Sequence, residues 1–320
     1  MAARAGPVII AASMLAGCQS SLLDAQGPVG RAQATILINS VVIMLAIVVP
    51  TIVATLAFAW WFRASNTRAR RRLDWSYSGQ IELVTWSIPL LVILFLGGIA
   101  WVGSHDLDPS RPLASERKPL RVQVVSLDWK WLFIYPDHGV ASVNEMFAPA
   151  RTPISFELTS ASVMNAFFVP QLGSMIYTMN GMATRLHLQA DGEGEFLGLS
   201  THFSGDGFQG MRFAFRSVGD DAFQAWVEGA RGSASALDRA GYEELAKQSL
   251  NAKPASYRAV DPHLFHDIVS QAIPPSGGPE GGQPTPQVSH RSSTFQAPVC
   301  TPASPRREPT ASLSSPRTRN

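Results

Sequence analysis

Cysteine is nearly missing from this chain: 320 residues contain two, Cys18 and Cys300. With one thiol towards each end, a disulfide-stapled scaffold is excluded, as is a metal centre built on clustered thiolates in the body of the chain. Charge is scarce as well, since Asp, Glu, Lys and Arg make up 16% of residues and leave a formal net charge of +2. Arginines of the C-terminal stretch inflate that balance, so it implies no nucleic-acid partner. No glycine-rich phosphate loop and no catalytic-triad pattern stands out. What the chain has in quantity is apolar side chains, 46% of residues, a content that points to membrane segments.

The amino terminus gives the compartment. Arg4 precedes the apolar run PVIIAASML, which leads into Leu15-Ala16-Gly17-Cys18. A short apolar run closing on small residues is a secretory signal and not a spanning helix. Leu-Ala-Gly-Cys also looks like a bacterial lipobox, in which the cysteine is acylated and becomes the mature amino terminus. Residues 1–17 are therefore expected to be a lipoprotein signal peptide, Cys18 the lipidation site, and residues 18–33 a periplasmic segment. A chance cysteine in an uncleaved signal anchor is the alternative.

Two runs, residues 34–62 and 81–102, are almost wholly apolar. Each exceeds the roughly 20 residues that cross a bilayer core as helix. Pro50 and Pro89 are tolerable inside such helices, and Trp60, Trp61 and Trp101 close the runs as interfacial anchors do. The connecting loop, residues 63–80, carries Arg63, Arg68, Arg70, Arg71 and Arg72 with Asp74. The positive-inside rule places it in the cytoplasm and both termini outside, in agreement with an outer-leaflet Cys18. Glu82 lies one turn inside the second span, in IELVTWSIP. A carboxylate there is stabilised by the helix dipole; it is also placed to collect protons for a conduction path.

Beyond the spans the pattern changes to period two, in LRVQVVS, ISFELTS, TRLHLQA, EFLGLS and MRFAFRSV. Such alternation indicates half-buried strands of an antiparallel sandwich or barrel, here over residues 103–219. Residues 220–273 contain three short amphipathic helical patterns, expected to pack along the external domain or a partner subunit. From residue 274 to 320 the chain is rich in Pro, Ser, Gly, Thr and Arg and is expected to be disordered. His263 and His266 have the spacing of a helical metal pair but lack a third ligand nearby. His187, on an alternating strand, is expected to be structural. The fold class is thus an α+β membrane protein, a two-helix hairpin followed by a β-sandwich.

The segment Ser200–Met211, STHFSGDGFQGM, resembles the copper-binding loop of the second subunit of heme-copper oxidases, which reads C-x-x-x-C-G-x-x-H-x-x-M. Here Ser200 and Ser204 stand at the cysteine positions, Gly205 keeps the glycine, Phe208 replaces the histidine and Met211 is retained. The family's upstream histidine ligand falls at Asn165, in MNAFFVP. Copper is held by thiolate, imidazole and thioether, and hydroxyl or phenyl groups replace none of them. The chain therefore resembles the copper-free branch, the second subunits of bacterial cytochrome o ubiquinol oxidases. The resemblance implies a cupredoxin-like Greek-key sandwich, no cofactor and no catalytic residue in this chain, heme and copper in a partner subunit I, ubiquinol as the substrate of the complex, and contact with membrane lipid in the bacterial inner membrane. It also implies a proton-entry role for Glu82, which with Trp86 and Pro89 matches a family motif in which Ser87 replaces threonine. Trp129 and Trp131, in DWKWLFIYP, fall in the aromatic segment through which copper-bearing relatives admit electrons; without copper they are expected to be core or interface anchors. Met164, Met175, Met179 and Met182 suggest soft metal, but packing is the expected role. Two other functions compete: a free-standing lipoprotein that binds a ligand or aids assembly, and an electron-entry subunit of a cytochrome c oxidase, which lacks its ligands here.

Overall fold

The computed structural model describes residues 22–70 and 76–276. Cys18 and the signal peptide, Arg71, Arg72 and Asp74, and the tail with Cys300 lie outside these residues. Among the described residues two long helices come first, α1 (Pro28–Trp61) and α2 (Gly79–Asp106). Pro28 at the first helical position fixes φ where no intrahelical N–H bond is required. At 1.5 Å per residue, the 34 residues of α1 span about 50 Å, more than a hydrocarbon core of roughly 30 Å requires. Its first turns are therefore free to dock on the domain that follows. Val29, Gly30 and Ala34 are buried there, while the side chains further along both helices are almost all exposed and apolar, as a lipid or protein environment in a membrane demands.

Among the described residues, eleven strands form two sheets. They are β1 (Leu120–Leu127), β2 (Lys130–Tyr135), β3 (Val140–Val143), β4 (Glu145–Pro149), β5 (Ile154–Ser160), β6 (Asn165–Phe168), β7 (Met175–Thr178), β8 (Thr184–Leu188), β9 (Gly194–Ser200), β10 (Arg212–Val218) and β11 (Ala255–Tyr257). One sheet runs β11-β3-β2-β1-β5-β8 and the other β4-β10-β9-β6-β7. The sandwich is mixed rather than wholly antiparallel, because β1 pairs β5 and β4 pairs β10 in parallel. Alternation reports which face a side chain takes and not the direction of its neighbour, so this detail is not written in it.

Side chains of β2 divide between two cores. Trp131, Phe133 and Tyr135 point between the sheets, while Leu132 and Ile134 point outward beneath the C-terminal segment. That segment contains α3 (Asp220–Arg231), α4 (Arg239–Ala246) and α5 (Leu264–Val269). Leu237, Tyr242, Leu264, Phe265 and Ile268 cover the outer face of the first sheet, and β11 extends its edge. The helices after Val218 thus complete the domain.

The membrane hairpin and the sandwich are joined by backbone. Gln26 N–H donates to the Gln171 carbonyl at 2.7 Å, Gly30 N–H to Leu172 at 3.0 Å, and Asp191 N–H to Gln26 at 2.8 Å. The approach is close enough that a Cβ at Gly27 would lie 2.3 Å from the Gln189 carbonyl oxygen. Gln33 adds bonds to Ser174, and Arg31 pairs with Asp191.

Candidate functional site

The loop after β9 and the strand β6 bring the five ligand-equivalent positions onto one end of the sandwich. Backbone bonds set this up: Thr201 N–H donates to Ala166 at 3.1 Å and Ser200 N–H to Met211 at 3.2 Å. The chain then turns at Gly205, whose φ of 103° lies in the region that favours glycine, and makes one 3₁₀ turn over Phe208–Gly210. Asn165, Ser200, Ser204 and Met211 are buried, and Phe208 is half-buried.

Within this site the Ser200 hydroxyl donates to Asn165 Oδ1 at 3.1 Å, and the His202 carbonyl oxygen lies 3.3 Å from the same hydroxyl. Asn165 Nδ2 reaches the Val163 carbonyl at 3.3 Å. Ser204 Oγ forms no hydrogen bond among the described residues. Met211 belongs to the core between the sheets. The donor set offers amide and hydroxyl oxygens and one thioether, with no thiolate and no imidazole at a ligand position. It does not fit a dinuclear copper centre.

The turn between β1 and β2 supports the loop from beneath. Trp129 takes φ of 64°, and its indole Nε1–H donates to the Ser204 carbonyl at 3.1 Å. Its ring lies so close to Gly207 that a Cβ there would come within 2.2 Å of it. Trp131 is fully buried, edge-on to Phe167 with ring centroids 5.3 Å apart. Phe167 in turn stacks on Phe213 at 5.1 Å. Both tryptophans are therefore held inside the domain, one bracing the loop and one filling the core.

Two polar clamps were not foreseen from sequence. The Lys130 ammonium donates to the Lys247 carbonyl and to Ser249 Oγ, each at 2.6 Å. Burial pushes this ammonium below its ordinary pKa, against a smaller opposing effect of Asp128. Asn144 receives the Trp131 N–H at 2.8 Å and donates to the Ala252 carbonyl at 2.8 Å. Asp128, buried beside them, accepts from the Ser162 hydroxyl. The available signal was a lysine inside an otherwise apolar run, KWLFIY, since a charge there requires a partner.

Other expected groups separate. Glu82 is exposed in the first turn of α2, its N–H bonded to the Ser78 carbonyl at 3.0 Å. Trp86 is exposed on the same helix, and Arg63, just after α1, lies over the Trp60 ring at 4.9 Å. Met164, Met175 and Met182 are exposed rather than packed in the core, with Met175 Sδ accepting from Thr201 Oγ1 at 2.8 Å. Met175 opens the surface strand β7, and Met164 and Met182 lie in the turns before β6 and after β7. His263 caps α5, and His202 sits edge-on to Tyr177. Burial lowers the pKa of His187, with Arg185 adding to the effect. Among the described residues no three His, Cys, Asp or Glu side chains gather as a metal site.

Residues 231–276 match the family model of the COX Aromatic Rich Motif, the stretch that covers the outer face of the first sheet. Over 260 residues the chain is 49% identical to the cytochrome bo(3) ubiquinol oxidase subunit 2 of Pseudomonas aeruginosa, covering 81% of this chain and 78% of that one. It is 49% identical over 263 residues to the ubiquinol oxidase subunit 2 of Acetobacter aceti, covering 81% and 85%. To the cytochrome bo(3) ubiquinol oxidase subunit 2 of Buchnera aphidicola it is 39% identical over 266 residues, covering 82% and 92%.

Proposed function

The chain belongs to the ubiquinol oxidase subunit 2 family, and on that premise we propose that it is the non-catalytic second subunit of a proton-translocating complex in which a heme-bearing subunit I oxidises ubiquinol and reduces oxygen to water. The observation that carries the electron-donor reading is the Asn165–Ser200 hydrogen bond inside an intact loop. Both ligand-bearing segments meet as they would around copper, and their side chains satisfy each other instead. Electrons therefore bypass this domain and enter the complex from a lipid-soluble donor within the membrane.

Three tasks remain for the chain. Its hairpin presents two exposed apolar helices to the bilayer and to subunit I. Glu82, in the first helical turn at the cytoplasmic end of α2, is the entry carboxylate of a proton path into that subunit. The sandwich caps the outer surface, fixed to α1 by the backbone bonds at Gln26, Gly30 and Asp191. Lipidation at Cys18 adds an anchor at the outer face of the bacterial inner membrane. The named relatives are oxidase subunits, which favours this reading over a free-standing lipoprotein.

Turnover of the assembled, membrane-extracted complex with ubiquinol and with reduced cytochrome c tests the assignment. Oxygen consumption sustained by ubiquinol alone is expected; preference for cytochrome c would overturn it.

A further inference from the structure

α1 and α2 meet where Ile36 crosses Gly103, at a distance that places a Cβ on Gly103 only 2.6 Å from the isoleucine Cδ1. Beside that contact they enclose a groove of about 690 Å³ whose lining includes Thr35, Ile36, Leu94, Gly98, Val102 and Asp106. The groove is apolar except at Thr35 and Asp106. Asp106 stands at the end next to the sandwich, paired with Arg111 at 3.5 Å, both side chains exposed. Trp101 and His105, with ring centroids 4.5 Å apart, mark the same level of α2 as interfacial.

The depth of the groove identifies its occupant. On α2 it runs from Leu94 to Leu107, about 20 Å at 1.5 Å per residue. That is the depth of one leaflet with its headgroup zone, half of a hydrocarbon core being roughly 15 Å. The cytoplasmic half of α2, from Gly79 onward, takes no part in it. A partner's spanning helix is about 10–12 Å across and packs along both leaflets. A groove confined to one leaflet, with one carboxylate in its lining and the Arg111 guanidinium just outside beside that carboxylate, matches a different ligand, an amphiphile carrying an apolar chain, an ammonium and a phosphate.

We propose that this groove binds one zwitterionic phospholipid of the outer leaflet, its acyl chain lying along Gly98 between the helices, its ammonium at Asp106 and its phosphate at Arg111. Bound there, the lipid fills the space that the two helices leave open and ties the outer end of the hairpin to the start of the sandwich. The inference rests on the membrane placement of the hairpin and is independent of the electron-donor reading.

The test uses the assembled complex in nanodiscs containing a photoactivatable phosphatidylethanolamine, with labelled peptides mapped by mass spectrometry. Neither Gly97 nor Gly98 has an atom within 4 Å of an added Cβ, and only Gly98 lines the groove. Gly98→Phe therefore starts from an open position that lines the groove, and Gly97→Phe, starting from an equally open position outside it, is its control. Labelling between Leu94 and Leu107 is expected in the wild type and in Gly97→Phe. In Gly98→Phe it is expected to fall by about tenfold, equivalent to roughly 1.4 kcal/mol of binding. Asp106→Asn with Arg111→Gln, both at exposed positions, is expected to lower labelling by phosphatidylethanolamine while leaving assembly intact. Equal labelling of wild type and Gly98→Phe would overturn the proposal. So would recovery of a quinone, the acylated N-terminus of this chain or a partner helix at those residues.

Discussion

The Ser200 hydroxyl donates a 3.1 Å hydrogen bond to the side-chain oxygen of Asn165, joining the end of β9 to the start of β6 in a site where neither residue reaches solvent. In copper-bearing relatives the equivalent positions are a thiolate and an imidazole that meet through metal. Here a neutral bond joins the same two strands.

Ser200→Ala removes the donor and leaves Asn165 Oδ1 buried without it. Such an orphaned acceptor costs about 1–3 kcal/mol, and a lower thermal midpoint of the complex is expected. Ubiquinol turnover per heme should stay unchanged if, as proposed, electrons bypass the loop. A loss of turnover in fully assembled complex would assign the site a part in the reaction.

Trp129→Phe tests the same point from the aromatic side. It loses the indole bond to the Ser204 carbonyl, worth about 0.5–1.5 kcal/mol, and keeps ring packing against Gly207. Stability should fall by that order and ubiquinol oxidation should persist. Abolished electron entry, read by stopped-flow heme reduction, would contradict the account.

Much of this fold is written in the sequence, for reasons visible in particular strands. Thr184–Leu188 and Arg212–Val218 alternate because each buries one face. KWLFIY does not alternate, since Trp131 and Phe133 enter one core while Leu132 and Ile134 enter another. A strand buried on both faces looks like a plain apolar run. The second core was hidden because its cover is a segment over a hundred residues downstream, so that Lys130 meets Lys247 only in three dimensions. At the candidate site the positions that come together, Asn165, Ser200, Ser204, Phe208 and Met211, were legible from spacing; the Asn165–Ser200 bond was not, because residue types do not reveal which side chains pair.

The buried Lys130 gives a pH signature. Burial holds its folded pKa below the unfolded value of about 10.4. Over the pH range between the two values the unfolded chain keeps a proton that the folded chain has released, so stability rises with pH there and is independent of this group below it. Lys130→Met should flatten that alkaline rise relative to wild type and expose the segment around Lys247–Ala252 to proteolysis. Identical pH profiles in denaturant melts would show that Lys130 titrates normally.

Glu82→Gln keeps size and removes the titratable proton. Turnover and proton uptake should slow together, a tenfold loss corresponding to about 1.4 kcal/mol of barrier. Glu82→Asp should recover part of the rate. Unchanged proton uptake by the glutamine variant would leave Glu82 as a helix-terminal charge with no part in conduction.

The copper-to-heme ratio of the purified, assembled complex tests the central claim most directly. If this chain holds no copper, elemental analysis should find only the single catalytic-site copper of subunit I for each complex, and Ser200→Ala and Asn165→Ala should leave the ratio unaltered. Additional copper that disappears with those substitutions would place a metal centre in this domain and contradict the account.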